Sequence, residues 1–285
     1  MNEAIQAMLS AYSCKTLEEQ LLALKEIMQE VALLGLWRAK FFEGAAFYGG
    51  TALRILYGLP RFSEDLEFSL LTPDAGFDIA PYEASLTREL QAFGFEITVA
   101  KNVKSVTSSR IASTFIKANT MTHQLKIRSP YKTHQGALIK VKLEVDTDPP
   151  QHFTTEVIQH FQPTPFSIRS FTLPCLFAGK LHACLCRPVR ENIKGRDWYD
   201  FLWFVSRRLP VDLNHLQHRM AQTGDWDAAE VLTLARLQAL LTRKVETLNV
   251  QRAKREVMPF VKNPSDLDAW TPELFAVAVQ RITAN

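Results

Sequence analysis

Asp65-x-Glu67 is the pair whose residue types and spacing point most directly to chemistry. On an extended strand, side chains at i and i+2 project from the same face, so two carboxylates would stand close together. Like charges at that separation repel unless a cation joins them. Hard cations such as Mg²⁺ are held by a few carboxylates together with the phosphate oxygens of a substrate. Upstream, Gly49-Gly50-Thr51 opens a segment with helical character. Glycines let a backbone turn tightly against a ligand, and a helix start offers unpaired N–H groups and a positive dipole end to phosphate. Downstream, Glu144 shares the polar face of an alternating segment with Lys140, Lys142 and Asp146. A third carboxylate from a neighbouring strand would complete a two-metal site for in-line displacement at phosphorus. Taken singly, these features are ordinary: a strand-to-helix turn and charges on half-exposed strands. Their order along the chain favours the chemical reading.

Elements must position these groups. Thr16 and Glu19 have capping-box spacing, and Leu21, Leu22, Leu24, Ile27, Met28, Val31 and Leu34 recur at helical intervals. That pattern predicts a long helix ending near Gly35. A short apolar segment, Phe41 to Tyr48, reaches the Gly-Gly turn, and Thr51 to Tyr57 is a helix stopped by Gly58 and Pro60. Arg61 to Phe68 alternates as a strand, with Arg61, Ser63, Asp65 and Glu67 on one face and Phe62, Leu66 and Phe68 on the other. A helix from Tyr82 to Phe93 and strands over Phe95–Val99, Arg110–Lys117, Leu125–Arg128 and Ala137–Val145 follow. After a loose stretch to Pro165 comes a strand over Phe166–Leu173. Helices are then expected over Leu176–Arg187, Gly195–Arg207, Asp212–Met220, Ala228–Asn249 and Pro272–Thr283. The expected organisation is an α/β half over 1–170 followed by a helical half over 171–285.

The 285 residues, 47% hydrophobic and 22% charged, match ordinary globular composition and exclude disorder as the dominant state. No apolar run is long enough to span a bilayer and no signal peptide opens the chain, so a cytoplasmic protein is expected. The four cysteines lack zinc-site spacing, which predicts reduced structural thiols. The net charge of +3 alone does not demand a nucleic-acid partner. Between Ala100 and Lys142, however, nine lysines and arginines occur with no Asp or Glu. They fit a face that meets phosphates and equally a lysine-guarded sheet edge.

Phe47-Tyr-Gly-Gly-Thr-Ala-Leu-Arg54 and Arg61-Phe-Ser-Glu-Asp-Leu-Glu-Phe68 resemble the AbiEii/AbiGii-type nucleotidyltransferase toxins of abortive-infection and type IV toxin–antitoxin systems. Ala178-Gly-Lys-Leu-His-Ala183 with Arg187, and Gly195-Arg-Asp-Trp-Tyr-Asp200, continue the likeness in the same order. The resemblance implies a polymerase-β-type nucleotidyltransferase fold and transfer of NMP from an NTP to an acceptor hydroxyl with Mg²⁺. By the same token Gly49, Gly50 and Thr51 form the phosphate-side turn braced by Arg54, with Ser63 and Asp200 also on the nucleotide. Asp65, Glu67 and Glu144 become the metal ligands, Glu144 the group that helps deprotonate the acceptor, and Lys180 a phosphate contact. Asp197 would orient Lys180 or act on the acceptor. The implied acceptor is the 3′ end of a tRNA or a protein hydroxyl, and the implied partner a cognate antitoxin.

The chain departs from the family pattern where Glu67 replaces the commoner aspartate and where Gly179 precedes the lysine. A catalytically silent nucleotide- or RNA-binding relative, or a small-molecule nucleotidyltransferase, are the alternatives. Without the resemblance, Lys180 is a solvated helix residue, Arg187, Asp197 and Asp200 are equally an interhelical salt-bridge set or a functional group, and His182 is a core or surface histidine.

Overall fold

The computed structural model describes residues 3–101, 120–128, 138–187 and 194–285, with side chains described outside 96–138. The strand expected over 110–117 and most of the basic middle segment lie outside the described residues.

Helix α1 (Glu3–Ser10) precedes α2 (Leu17–Arg38), whose start is the expected capping box. Thr16 Oγ1 accepts from the Glu19 N–H at 3.1 Å, and Glu19 Oε2 accepts from the Thr16 N–H at 3.3 Å. The helix does not stop at Gly35. A Cβ there would lie 3.1 Å from Leu86 Cα, so the glycine lets α4 (Ala80–Ala92) pack closely against the C-terminal part of α2. From Ala23 to Leu36, α2 is buried nearly all round, which makes it the central helix of the N-terminal half.

Among the described residues, seven strands form one mixed sheet: β1 (Ala45–Tyr48), β2 (Asp65–Leu70), β3 (Glu96–Lys101), β4 (Thr120–Arg128), β5 (Leu138–Asp146), β6 (Thr155–His160) and β7 (Phe166–Phe171). Their order is β3-β4-β5-β2-β1-β7-β6. The β2–β5 and β1–β7 pairs are parallel and the others antiparallel. Strand β6 occupies the stretch expected to be loose. It is an edge strand with Glu156, Val157 and Gln159 exposed, and so carries no apolar stripe for sequence to reveal. Strand β2 begins at Asp65, later than expected. Residues 61–64 instead meet the C-terminal half, through an Arg61–Val261 bridge and a bond from Phe62 N–H to the Phe260 carbonyl.

Alternation along β2 and β5 divides the chemistry from the core. Leu66, Phe68, Val141, Leu143 and Val145 are buried among α2, α4 and Phe41. Asp65, Glu67, Lys142 and Glu144 take the opposite face. That face is covered by the helical half: α5 (Leu173–Cys186), α6 (Gly195–Ser206), α7 (Leu213–Gln222), α8 (Leu234–Glu246), α9 (Val250–Val257) and α10 (Pro272–Gln280). These helices share a second core that includes Ala46, Leu53 and Phe171 from the sheet side. The helix expected over 228–249 is shorter, α8 starting only at Leu234 and ending at Glu246, and Asn249 is instead the cap of α9, accepting from the Arg252 N–H at 2.9 Å. No helix of the described residues is long and apolar enough to cross a membrane.

Candidate active site

Strand β1 ends where helix α3 (Gly49–Tyr57) begins, and Tyr48 stands directly across from Glu67 in the β1–β2 register. Tyr48 is the N-cap but makes no side-chain capping bond, so the first-turn N–H groups of α3 are left uncapped by it. Gly49 has φ +84°, and a Cβ on it would fall 1.9 Å from Glu67 Oε2. The glycine is therefore required twice, for the left-handed backbone and for the carboxylate lying over it. At Gly50 a Cβ would meet Ser63 Oγ at 2.9 Å, Arg61 Nη2 at 3.0 Å and Lys180 Nζ at 3.5 Å.

These groups surround a cavity of about 240 Å³ between sheet and helices. Gly49, Gly50, Ser63, Asp65, Glu67, Glu144, Lys180 and Asp197 all line it. In the parallel β2–β5 register Glu67 faces Glu144, Asp65 faces Lys142, and Asp146 lies two pairs further along, opposite Ser69. Register therefore sets Glu144, and not Asp146, beside Glu67. Asp65 has its pKa raised by burial and then by the nearby Glu67 and Glu144 charges. Three carboxylates facing one small cavity are costly without a counter-charge, and an all-oxygen donor set suits a hard divalent cation. In this structure Glu144 is turned onto Lys142 Nζ. Accordingly the three carboxylates are not drawn into a tight ligand set. The trio with donor atoms all within 4.8 Å of one another, among the described residues, is His182, Cys186 and Asp225. That trio is tied together by ordinary bonds: Thr223 Oγ1 lies 3.0 Å from His182 Nε2 and donates to Asp225 Oδ2 at 2.6 Å.

Lys180 and the two aspartates of α6 form a second network. Asp200 is fully buried and takes Arg61 in a two-pronged pair, Nε–Oδ1 at 2.7 Å and Nη2–Oδ2 at 2.6 Å. Lys180 Nζ lies 2.9 Å from Asp200 Oδ2 and 4.0 Å from Asp197 Oδ1. Burial works against the Lys180 charge, but Asp200 and Asp197 outweigh it and hold its pKa above the ordinary lysine value. Burial likewise opposes the Asp200 charge, and Arg61 and Lys180 overcome it, leaving that pKa lowered. Asp197 also accepts from Arg187 Nη2 at 2.9 Å. The conformation of α6 follows from Gly195, where a Cβ would strike the Ala253 carbonyl at 1.9 Å; only glycine lets α6 start against α9.

Three expected site residues stand back from the cavity wall. Thr51 is buried, and its hydroxyl donates to the Asp65 carbonyl, tying α3 to β2. Asp200 does not line the cavity and contacts Arg61 and Lys180, which do. Arg54 lies in a different cavity of about 650 Å³ beneath α1, paired with Glu26 at 2.8 Å and donating to the Leu59 carbonyl at 3.0 Å. It anchors the end of α3 and does not line the cavity at the Gly49–Gly50 turn. Conversely, Arg61 was legible as the first member of the Arg61-Ser63-Asp65-Glu67 alternation, yet its role as partner of Asp200 needed the fold. Arg196 and Arg219 also line the cavity. Arg196 pairs with Glu64 at 2.9 Å and Glu256 at 3.3 Å, and neither arginine carries a sequence signal separating it from a solvated helix residue.

Comparison with known proteins adds an independent line. Two solved structures share the fold. One is a Helicobacter pylori protein assigned as a nucleotidyltransferase (16% identity, 88% of each chain covered, TM-score 0.50). The other is JHP933 from Helicobacter pylori (16% identity, 91% of this chain and 90% of that one, TM-score 0.53). No curated protein matches in sequence. The family model of the nucleotidyl transferase AbiEii toxin of type IV toxin–antitoxin systems matches residues 31–275, most of the chain. With that match spanning both the carboxylate strands and the lysine-bearing helices, the chain belongs to the AbiEii nucleotidyltransferase family.

Proposed function

We propose that this nucleotidyltransferase moves NMP from an NTP to an acceptor hydroxyl in the cavity between β2, β5 and α5, with Mg²⁺ held by Asp65, Glu67 and Glu144. The observation that carries the reading is the convergence of three carboxylates, an uncapped helix start and the charged Lys180 on one cavity. A divalent cation, when bound, supplies charge neutralisation for the triphosphate and lowers the pKa of the attacking hydroxyl. The chain's own residues do the rest by positioning and electrostatics. The Gly49–Gly50 turn and Lys180 hold the phosphates, and Ser63 lies within reach of the same turn. Glu144 takes the acceptor proton as the acceptor oxygen bonds to the α-phosphorus. The bond from that phosphorus to the bridging oxygen breaks, and pyrophosphate leaves. The acceptor is the 3′ end of a tRNA, approached through its phosphates, and the protein acts as a toxin restrained by a cognate antitoxin.

The test is incubation with Mg²⁺, each labelled NTP in turn and total bacterial tRNA, beside Asp65→Ala. Label on RNA from a preferred NTP, lost in the variant, is the expected result. Label on a protein would replace the acceptor while keeping the chemistry. Metal-dependent NTP binding with no labelled product would overturn the transfer reading and leave a silent binding protein.

A further inference from the structure

The cavity's cations are mostly committed to carboxylates. Arg61 and Lys180 share Asp200, Arg187 holds Asp197, Lys142 holds Glu144, and Arg196 holds Glu64 and Glu256. Among the described residues, the cavity-lining Arg219 and Lys194 enter no ion pair. They differ in setting. Lys194 is exposed, whereas Arg219 on α7 is partly buried and its Nε is buried with no hydrogen-bond partner.

The neighbours of Arg219 do not supply its missing charge. Its field acts on the phenol of Tyr48, the residue just before the Gly49–Gly50 turn, and on His182 and His215. Burial first, and then the arginine, pushes both histidines down to about 3, so both are neutral at physiological pH. A half-buried guanidinium with an unsatisfied N–H is costly unless an anion completes it. Its planar fork matches two phosphate oxygens.

We propose that Arg219 is a phosphate-binding residue of this site, completed only when a substrate phosphate enters the cavity. The inference deepens the function proposed above and rests on it. It brings α7, outside all four recognised motifs, into substrate recognition. The phosphate comes either from the nucleotide's triphosphate or from the backbone of an RNA acceptor, and the ligand used separates the two.

Binding measured by calorimetry needs no turnover and tests this directly. The full chain, Arg219→Gln and Arg219→Lys would be titrated with inorganic triphosphate and, separately, with a short oligoribonucleotide. Thermal unfolding of each variant serves as the folding control. The expected result is a loss of about tenfold or more for one ligand in Arg219→Gln, partial recovery in Arg219→Lys, and unchanged melting. The ligand affected names the source of the phosphate. Equal affinities of wild type and Arg219→Gln for both ligands would overturn the inference. A wild type that binds triphosphate but transfers nothing would instead defeat the proposed function and leave the Arg219 assignment standing.

Discussion

Glu67 and Glu144 face each other across neighbouring parallel strands, each on the face of its strand turned away from the N-terminal core. Asp65 lies on the same face and carries a raised pKa, from burial and then from Glu67. A raised carboxylate pKa means the folded state favours the proton. Stability from this group is therefore complete below the unfolded-state pKa and is lost as pH rises through the folded value. Metal-free protein should accordingly gain stability when the charge is removed. Asp65→Asn is expected to melt a few degrees higher than wild type without Mg²⁺, and to show little of the rise that Mg²⁺ gives wild type. Calorimetric melts with and without chelator check both.

Gly49 predicts a separation of folding from activity. Alanine there must adopt φ +84° and displace the Glu67 carboxylate from 1.9 Å. The expected cost is roughly 1–3 kcal/mol of stability and a loss of transfer far exceeding the loss of folded protein. Gly58→Ala, at φ +71° with open space around it, is the control: a similar backbone cost with activity retained. Transfer rates normalised to folded fraction decide it.

The Arg61–Asp200 pair is the most deeply buried ion pair among the described residues, with side-chain exposures of 2% and 0%. Breaking one side leaves an uncompensated buried charge, so Arg61→Met is expected to lose about 3–5 kcal/mol. Asp200→Asn should be nearly as damaging, because Lys180 loses the same partner. Denaturant unfolding of each variant measures this. A loss below about 1 kcal/mol would show that the network around Lys180 is not structurally coupled.

Glu30 offers a pH dependence away from the cavity between sheet and helices. It is buried beside Glu26, and burial followed by the Glu26 charge pushes its pKa up to about 8. The sign is again that of a raised carboxylate: stability should fall as pH rises from the ordinary glutamate range through about 8. Glu30→Gln should flatten that decline, as urea midpoints at pH 6 to 9 would show.

Much of the site was legible because period-2 alternation fixes which side chains share a face. The alternation over residues 65–68 and 139–146 by itself separates carboxylates from core. The capping box at Thr16 was equally local. What sequence missed depended on distant contacts. Gly35 looked like a stop because close packing by α4 is invisible in a single segment. Asn249 looked like a helix end but is the cap of the next helix. Arg54 sat in the right motif, yet its partner Glu26 comes from α2. Arg219 carries no motif, and its significance lies in the partners it does not have.

In the proposed reaction the bond broken is the one between the α- and β-phosphates. Parallel reactions with an NTP labelled at the α-phosphorus and at the γ-phosphorus, with Mg²⁺ and tRNA, test it most directly. Label is expected on the acceptor from the α position alone, with pyrophosphate released in equal amount and both signals lost in Asp65→Ala. Transfer of the γ label, or acceptor labelling that survives in Asp65→Ala, would contradict it.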